Sequence, residues 1–145
     1  MKKLLKPLSI LLIVPCVMLF SCGGKDDATP APVATVSYSS NGVNYSPQNI
    51  TVASKSNSYW ISAVSNANGI SLSLGGATVG TQYRNDFQVV INDSVFGLKY
   101  SIDTITISSA NNGIVSGTFS ATLSDSTGSS SIYIHNGVFK NVPLQ

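Results

Sequence analysis

Thr104-Ile105-Thr106-Ile107-Ser108, Val115-Ser116-Gly117-Thr118-Phe119-Ser120-Ala121-Thr122-Leu123 and Ser131-Ile132-Tyr133-Ile134-His135 alternate apolar and polar side chains almost residue by residue. A period of two marks a half-buried strand, because successive side chains of a strand point to opposite faces. Ile70-Ser71-Leu72-Ser73-Leu74 repeats the pattern upstream. In the longest run Val115, Phe119, Ala121 and Leu123 share one face, and Ser116, Thr118, Ser120 and Thr122 share the other. Gly117 interrupts the inward row, which suits a bulge or the close approach of another group.

Working outward, turn signals punctuate these runs at Asn41-Gly42, Asn68-Gly69, Gly75-Gly76, Asn112-Gly113 and Asp125 to Gly128. Asn-Gly pairs between alternating segments are strong hairpin signals, since both residues tolerate a positive φ. Beyond the leader described below, no window carries a helical stripe. The expected fold is all-β, an antiparallel β-sandwich of about nine strands, with a closed or partly closed β-barrel as the alternative.

Residues 33–145 are read as a single all-β domain, long enough to bury its own core. Both cysteines, Cys16 and Cys22, lie upstream, so the domain holds no thiol. Lys2, Lys3 and Lys6 also lie in the leader. The remainder carries five basic residues against six aspartates and no glutamate. That balance leaves no basic patch and argues against nucleic-acid binding.

The N-terminal stretch reads as an address. Lys2, Lys3 and Lys6 precede an apolar run from Leu8 to Phe20 that is too short to span a bilayer. It ends in Leu19-Phe20-Ser21-Cys22, which resembles the lipobox of bacterial lipoproteins, with Phe20 a departure from the small or aliphatic residue usual there. The resemblance implies a signal peptide over 1–21, acylation of Cys22 as the mature N-terminus, and the lipid bilayer as a partner. A plain secretory signal with Cys22 incidental is the alternative. Residues 22–32 form the lipidated cysteine and an extended tether. Within it Lys25-Asp26-Asp27 resembles the export signal of Bacteroidota surface lipoproteins. That likeness implies an outer-membrane anchor with the domain at the cell surface, a periplasm-facing position being the alternative.

The C-terminal third, Asp103-Thr104-Ile105-Thr106-Ile107, then Gly113-Ile114-Val115-Ser116-Gly117-Thr118-Phe119-Ser120, then Ile134-His135-Asn136-Gly137-Val138-Phe139-Lys140-Asn141-Val142, resembles a family of Bacteroidota lipoproteins of unknown function. Val36 to Tyr45 and Gly69-Ile70-Ser71-Leu72 fit it as well. The likeness implies the all-β fold and the location, and it brings no catalytic or ligand residues.

Sites of chemistry are sparse. His135 is the lone histidine and shares a polar strand face with Ser131 and Tyr133, without a Gly-x-Ser-x-Gly elbow to supply a nucleophile. The domain's aspartates, Asp86, Asp93, Asp103 and Asp125, are expected at turns or strand ends, bonded to local backbone. Neither Asn92-Asp93-Ser94 nor Asp125-Ser126-Thr127 has the spacing of a calcium loop, and one histidine without a free cysteine cannot build a transition-metal shell. No metal and no cofactor are expected. Asp93-Ser94-Val95, Asp103-Thr104-Ile105 and Asp125-Ser126-Thr127 resemble a short O-glycosylation acceptor of exported Bacteroidota proteins, with Ser94, Thr104 and Ser126 as the bearers.

Aromatic side chains are the remaining handle. Tyr59 and Trp60 are adjacent in a strand, so one ring faces in and the other out. The ordinary reading buries Trp60 in the core. Tyr59, Trp60 and Tyr133 are the candidate ligand contacts, since exposed rings on a strand face stack sugars or meet protein partners. The preferred expectation is a non-catalytic glycan- or protein-binding, or accessory, module. An envelope hydrolase that gathers His135 or two aspartates in a pocket is the alternative.

Overall fold

The computed structural model describes residues 30–84, 86–97 and 99–144, the side chains of 84 and 99–102 excepted. The expected turns close hairpins at Asn41-Gly42 (φ 49° and 77°) and Asn112-Gly113 (49° and 72°), and the same geometry recurs at Ser56-Asn57 and Asn92-Asp93. Two successive positive φ values match the twist of the flanking strands, which is why Asn and Gly concentrate there.

Among the described residues the turns separate eleven strands. They are β1 (Thr35–Ser40), β2 (Val43–Tyr45), β3 (Asn49–Lys55), β4 (Ser58–Ser65), β5 (Asn68–Leu74), β6 (Gly80–Arg84), β7 (Gln88–Ile91), β8 (Ser94–Phe96), β9 (Lys99–Asn111), β10 (Ile114–Ser124) and β11 (Ser131–Pro143). The excess over nine includes β2 and β8, three residues each, too short for periodicity to register. A larger sheet runs β2-β1-β11-β10-β9-β6 and a smaller one β3-β4-β5-β7-β8. All pairings are antiparallel and both sheets are open-ended, so the fold is a β-sandwich and not a closed barrel.

One turn falls elsewhere than the sequence suggests. Asn68-Gly69 opens β5, and the chain reverses before it, at Asn66-Ala67. The earlier reversal lets β4 and β5 pair without a break from Ser65↔Asn68 to Tyr59↔Leu74. That register puts Ile61 and Ala63 beside Leu72 and Ile70 on the core face, and a one-residue slip would turn all of them outward.

The core lies between the sheets and is built from their inward rows, with Phe119, Phe139, Ile105, Ile107, Leu123 and Ile134 from the larger sheet and Ile61, Leu72, Leu74, Phe87 and Val89 from the smaller side. Its centre explains the two glycine-phenylalanine motifs. Gly117-Thr118-Phe119 pairs antiparallel with Gly137-Val138-Phe139, so Gly117 faces Phe139 and Gly137 faces Phe119. A Cβ at Gly117 would come within 2.5 Å of Phe139 Cζ and would strike the Thr106 carbonyl, while one at Gly137 would strike the Phe119 ring. Each ring thus occupies the space that its neighbour's missing side chain leaves. The two rings stack at 6.5 Å between centroids, and Phe87 closes on Phe119 at 5.5 Å. The bulge anticipated near Gly117 is present as register shifts on both sides of this pair.

Tyr38 spans the layers. Its ring is buried, stacks on Tyr45 at 5.0 Å, and aims its hydroxyl at the Gly69 carbonyl 3.5 Å away in the other sheet. Burial, with the Tyr45 phenol adding repulsion, pushes the Tyr38 hydroxyl up to about 12.

Two expectations about single residues are corrected. Asp103 does not sit at a turn or strand end; it lies within β9, in the inward row that continues through Ile105 and Ile107, and is 2% exposed. Trp60 does not fill the core. Pairing of Ile61 with Leu72 sets the parity of β4 so that Tyr59 packs against the core and Trp60 stands on the outward row, half-buried between Ala53 and Ser73.

Candidate functional sites on the two outer faces

With the inward rows committed to packing, the outward rows are what the molecule presents. On the larger sheet they are hydroxyl- and amide-rich. One row runs Asn44–Ser39–His135 over β2, β1 and β11, then Ser120–Thr104–Tyr83 over β10, β9 and β6. At their junction β11 carries a bulge: Phe119 pairs with Gly137 and Ala121 with Ile134, so His135 and Asn136 together oppose Ser120. Asn136 takes φ 50° there, a conformation that asparagine tolerates better than most side chains. The next row runs Ser37–Val138–Thr118–Thr106–Thr81, with the hydroxyls of Thr81 and Thr106 3.0 Å apart.

These two rows enclose a shallow depression of about 420 Å³ lined by Thr104, Thr106, Thr118, Ser120, Asn136 and Val138, among others. Aromatic rings flank it. Tyr83 is 78% exposed at the β6 edge, and Tyr133 is 57% exposed on β11, beside Thr122. Tyr133 and His135, two positions apart on one strand face, hold their rings parallel within 4° at 6.4 Å. Lys140, opposite Thr35, is the ionic side chain of this face among the described residues.

The smaller sheet presents a different surface. Its outward rows place Val64 beside Gly69, Gly69 beside Val90 and Val90 beside Val95, with Trp60 two residues along from Ser62. Gly69 lacks a side chain between two valines, which leaves a trough of about 280 Å³ edged by Ser62, Ser71 and Gln88. Val64 is 44% exposed and Val95 is 41% exposed.

The acids stand on separate elements. Asp125 is a turn residue: its carboxylate accepts hydrogen bonds from the Thr127, Ser129 and Ser130 amides and from the Thr127 and Ser129 hydroxyls. The Thr127 hydroxyl foremost, then Ser129, holds the Asp125 carboxyl below the usual carboxylate range. Asp93 sits in the β7–β8 turn at φ 64°, Asp86 is exposed just after β6, and Asp103 is in the core. His135 is exposed on the larger sheet's outer face, as its strand period implies. Among the described residues no three histidine, cysteine or acidic side chains group as metal ligands would.

The other sequence candidates are dispersed. Tyr133 is a surface ring, Trp60 is half-buried on the opposite face, and Tyr59 is half-buried against the core. Ser94 and Ser126 are exposed at or beside turns, whereas Thr104 is half-buried in the middle of the polar row. Cys22, Lys25, Asp26 and Asp27 lie outside the described residues. Tyr83, Thr81 and Asn136 join this face without being marked as a site by their local sequence. The alternation of Thr81-Gln82-Tyr83 marks a strand, and Asn136-Gly137 marks a positive-φ position, but neither says which strands lie alongside.

The family described as Domain of unknown function (DUF6252) matches residues 33–143. No curated protein and no solved structure matches the chain.

Proposed function

This chain belongs to the DUF6252 family of domains of unknown function, and from that premise we propose that it is a lipid-anchored, surface-exposed, non-catalytic binding module. The observation that carries the reading is the larger sheet's outer face, where exposed rings stand beside rows of hydroxyl and amide groups. Carboxylates committed to a turn or to the core, as Asp125 and Asp103 are, are poorly placed for acid-base work. The ligand is a glycan or a protein.

Anchoring rests on Leu19-Phe20-Ser21-Cys22. Acyl chains contribute about 0.8 kcal/mol per buried methylene, so two or three on Cys22 hold the protein to a membrane. Lys25-Asp26-Asp27 then directs it across the outer membrane. The chain enters the domain at one end of the larger sheet, where Asn141 Nδ2 donates to the Val33 carbonyl at 3.4 Å. Ser94 and Ser126 are the O-glycan positions with open surroundings.

Labelled palmitate is expected to enter the full chain and not the Cys22→Ser variant. Protease added to intact cells is expected to digest the domain. Label retained in Cys22→Ser would end the anchoring proposal, and protection until the cells are opened would turn the domain toward the periplasm. For binding, the purified protein is offered to envelope and medium components, and recovery of neither a saccharide nor a protein would remove the module reading.

A further inference from the structure

We propose that the larger sheet's outer face is a platform for an extended, uncharged oligosaccharide lying across the strands, between the Tyr83 ring and the Tyr133–His135 pair. This deepens the reading of the chain as a binding module and rests on it.

The geometry sets the ligand's length. Tyr83 on β6 and Tyr133 on β11 are three strand intervals apart, with a two-residue offset between the Ser120 and Thr122 rows. At the usual strand spacing and rise this places the two aromatic stations about 16 Å apart, which an extended chain of roughly three pyranose rings spans.

The chemistry sets the ligand's class. A pyranose offers an apolar C–H face and an equatorial rim of hydroxyls. Exposed aromatic rings take the first, and a tyrosine or histidine edge still leaves a polar tip in water. Thr104, Ser120 and Thr122 on the strands between the rings, with Asn136 at the β11 bulge, supply donors and acceptors for the second. Among the described side chains of the outward rows, Lys140 is the one cation a polyanion would meet, and none is a carboxylate for a polycation. A protein partner needs a desolvated apolar centre, whereas the described side chains on β9 and β10 between the stations, Thr104, Ser120 and Thr122, carry hydroxyls. The smaller sheet's valine trough has apolar walls but no ring at either end of comparable exposure.

Covalent glycosylation competes for the same place. A glycan on Thr104 would cover the row, so the platform requires an unmodified Thr104.

The test uses the full chain, purified from its host, in affinity electrophoresis through gels containing xylan, mannan, a β-glucan or polygalacturonate. Retardation by at least one neutral polymer is expected. Tyr83→Ala and Tyr133→Ala should each weaken it about tenfold, their combination should abolish it, and Val64→Ser should leave it unchanged. For the retained polymer, affinity should climb with oligomer length up to three or four units and then level off. Retardation that survives the double variant, retardation by polygalacturonate alone, or a Thr104 glycan seen by mass spectrometry would overturn the platform while leaving a binding module in place. No retardation at all, with a protein recovered in the pull-down instead, would do the same. Failure of both assays would remove both proposals.

Discussion

The two sheets treat their inward rows alike and their outward rows differently. Inward, both present interlocking Ile, Leu, Val and aromatic side chains to one shared core. Outward, the larger sheet shows hydroxyls, amides and exposed rings, while the smaller shows valines around a glycine gap. Sheet packing therefore accounts for the inner faces and leaves the outer ones unexplained. A sandwich needs only one apolar face per sheet, so what stands on the other face is free to serve recognition. The contrast has a quantitative consequence: substitutions facing in should act on stability, and those facing out should act on binding.

The largest effect belongs to the reciprocal glycine-phenylalanine pair. Phe139→Ala empties the space over Gly117 and should cost about 4 kcal/mol, read from the urea midpoint of unfolding. Gly117→Ala makes the opposite error. Its new Cβ meets the Thr106 backbone as well as the Phe139 ring, and a backbone carbonyl cannot swing aside, so about 3 kcal/mol of destabilisation is expected. If either variant melted like the parent, the pair would not be the core's keystone and the inward-outward division would weaken.

Tyr38 tests the seam between the layers. Its folded-state phenol titrates at about 12, above the ordinary 10, so folding favours the protonated ring. The corresponding stability is complete below pH 10 and is lost as pH rises toward 12. Tyr38→Phe should cost only about 0.5 kcal/mol at neutral pH, because the bond to the Gly69 carbonyl is long at 3.5 Å, and should flatten the alkaline decline. Denaturant curves at pH 8 and pH 11 for both proteins check this. An alkaline decline equally steep in Tyr38→Phe would assign it to other groups.

How far the sequence reveals this division depends on which contacts are local. Hairpin turns such as Asn112-Gly113 and the parity of β10 and β11 are written in neighbouring residues, and they were legible. Trp60 was not, because Leu72 opposite Ile61 on a partner strand is what turns it out, whereas Asp103 goes in with Ile105 and Ile107 of its own strand, against the usual preference of aspartate for turns. Of the proposed outer-face platform, Tyr133, His135 and Thr104 stand out in the sequence. Its other station, Tyr83, comes alongside because β6 pairs with β9, a connection that leaves no mark in the local alternation.

Asp125 offers a smaller effect at the rim. Its lowered folded-state titration means its hydrogen-bonded turn stabilises the fold above the usual carboxylate range, and that contribution is lost as pH falls through the depressed value. Asp125→Ala should therefore lower the melting temperature slightly at neutral pH, and the gap between the two proteins should close in acid. A gap that persisted after the carboxyl is protonated would mean the turn depends on shape and not on charge.

The smallest stability change is expected where the outer faces differ most. Val64→Thr on the smaller sheet and Tyr83→Ala on the larger each alter an exposed side chain without touching the inward rows, and each should move unfolding by no more than about 0.5 kcal/mol. Near-silence in denaturant is the point of the pair. Tyr83→Ala should weaken saccharide retention and Val64→Thr should not, so binding separates two variants that stability cannot. A cost of about 2 kcal/mol for Val64→Thr would show that the valine trough is packed structure and not open surface. The smaller sheet would then have an inner and an outer core, and the contrast between the two faces would rest on coverage instead of composition.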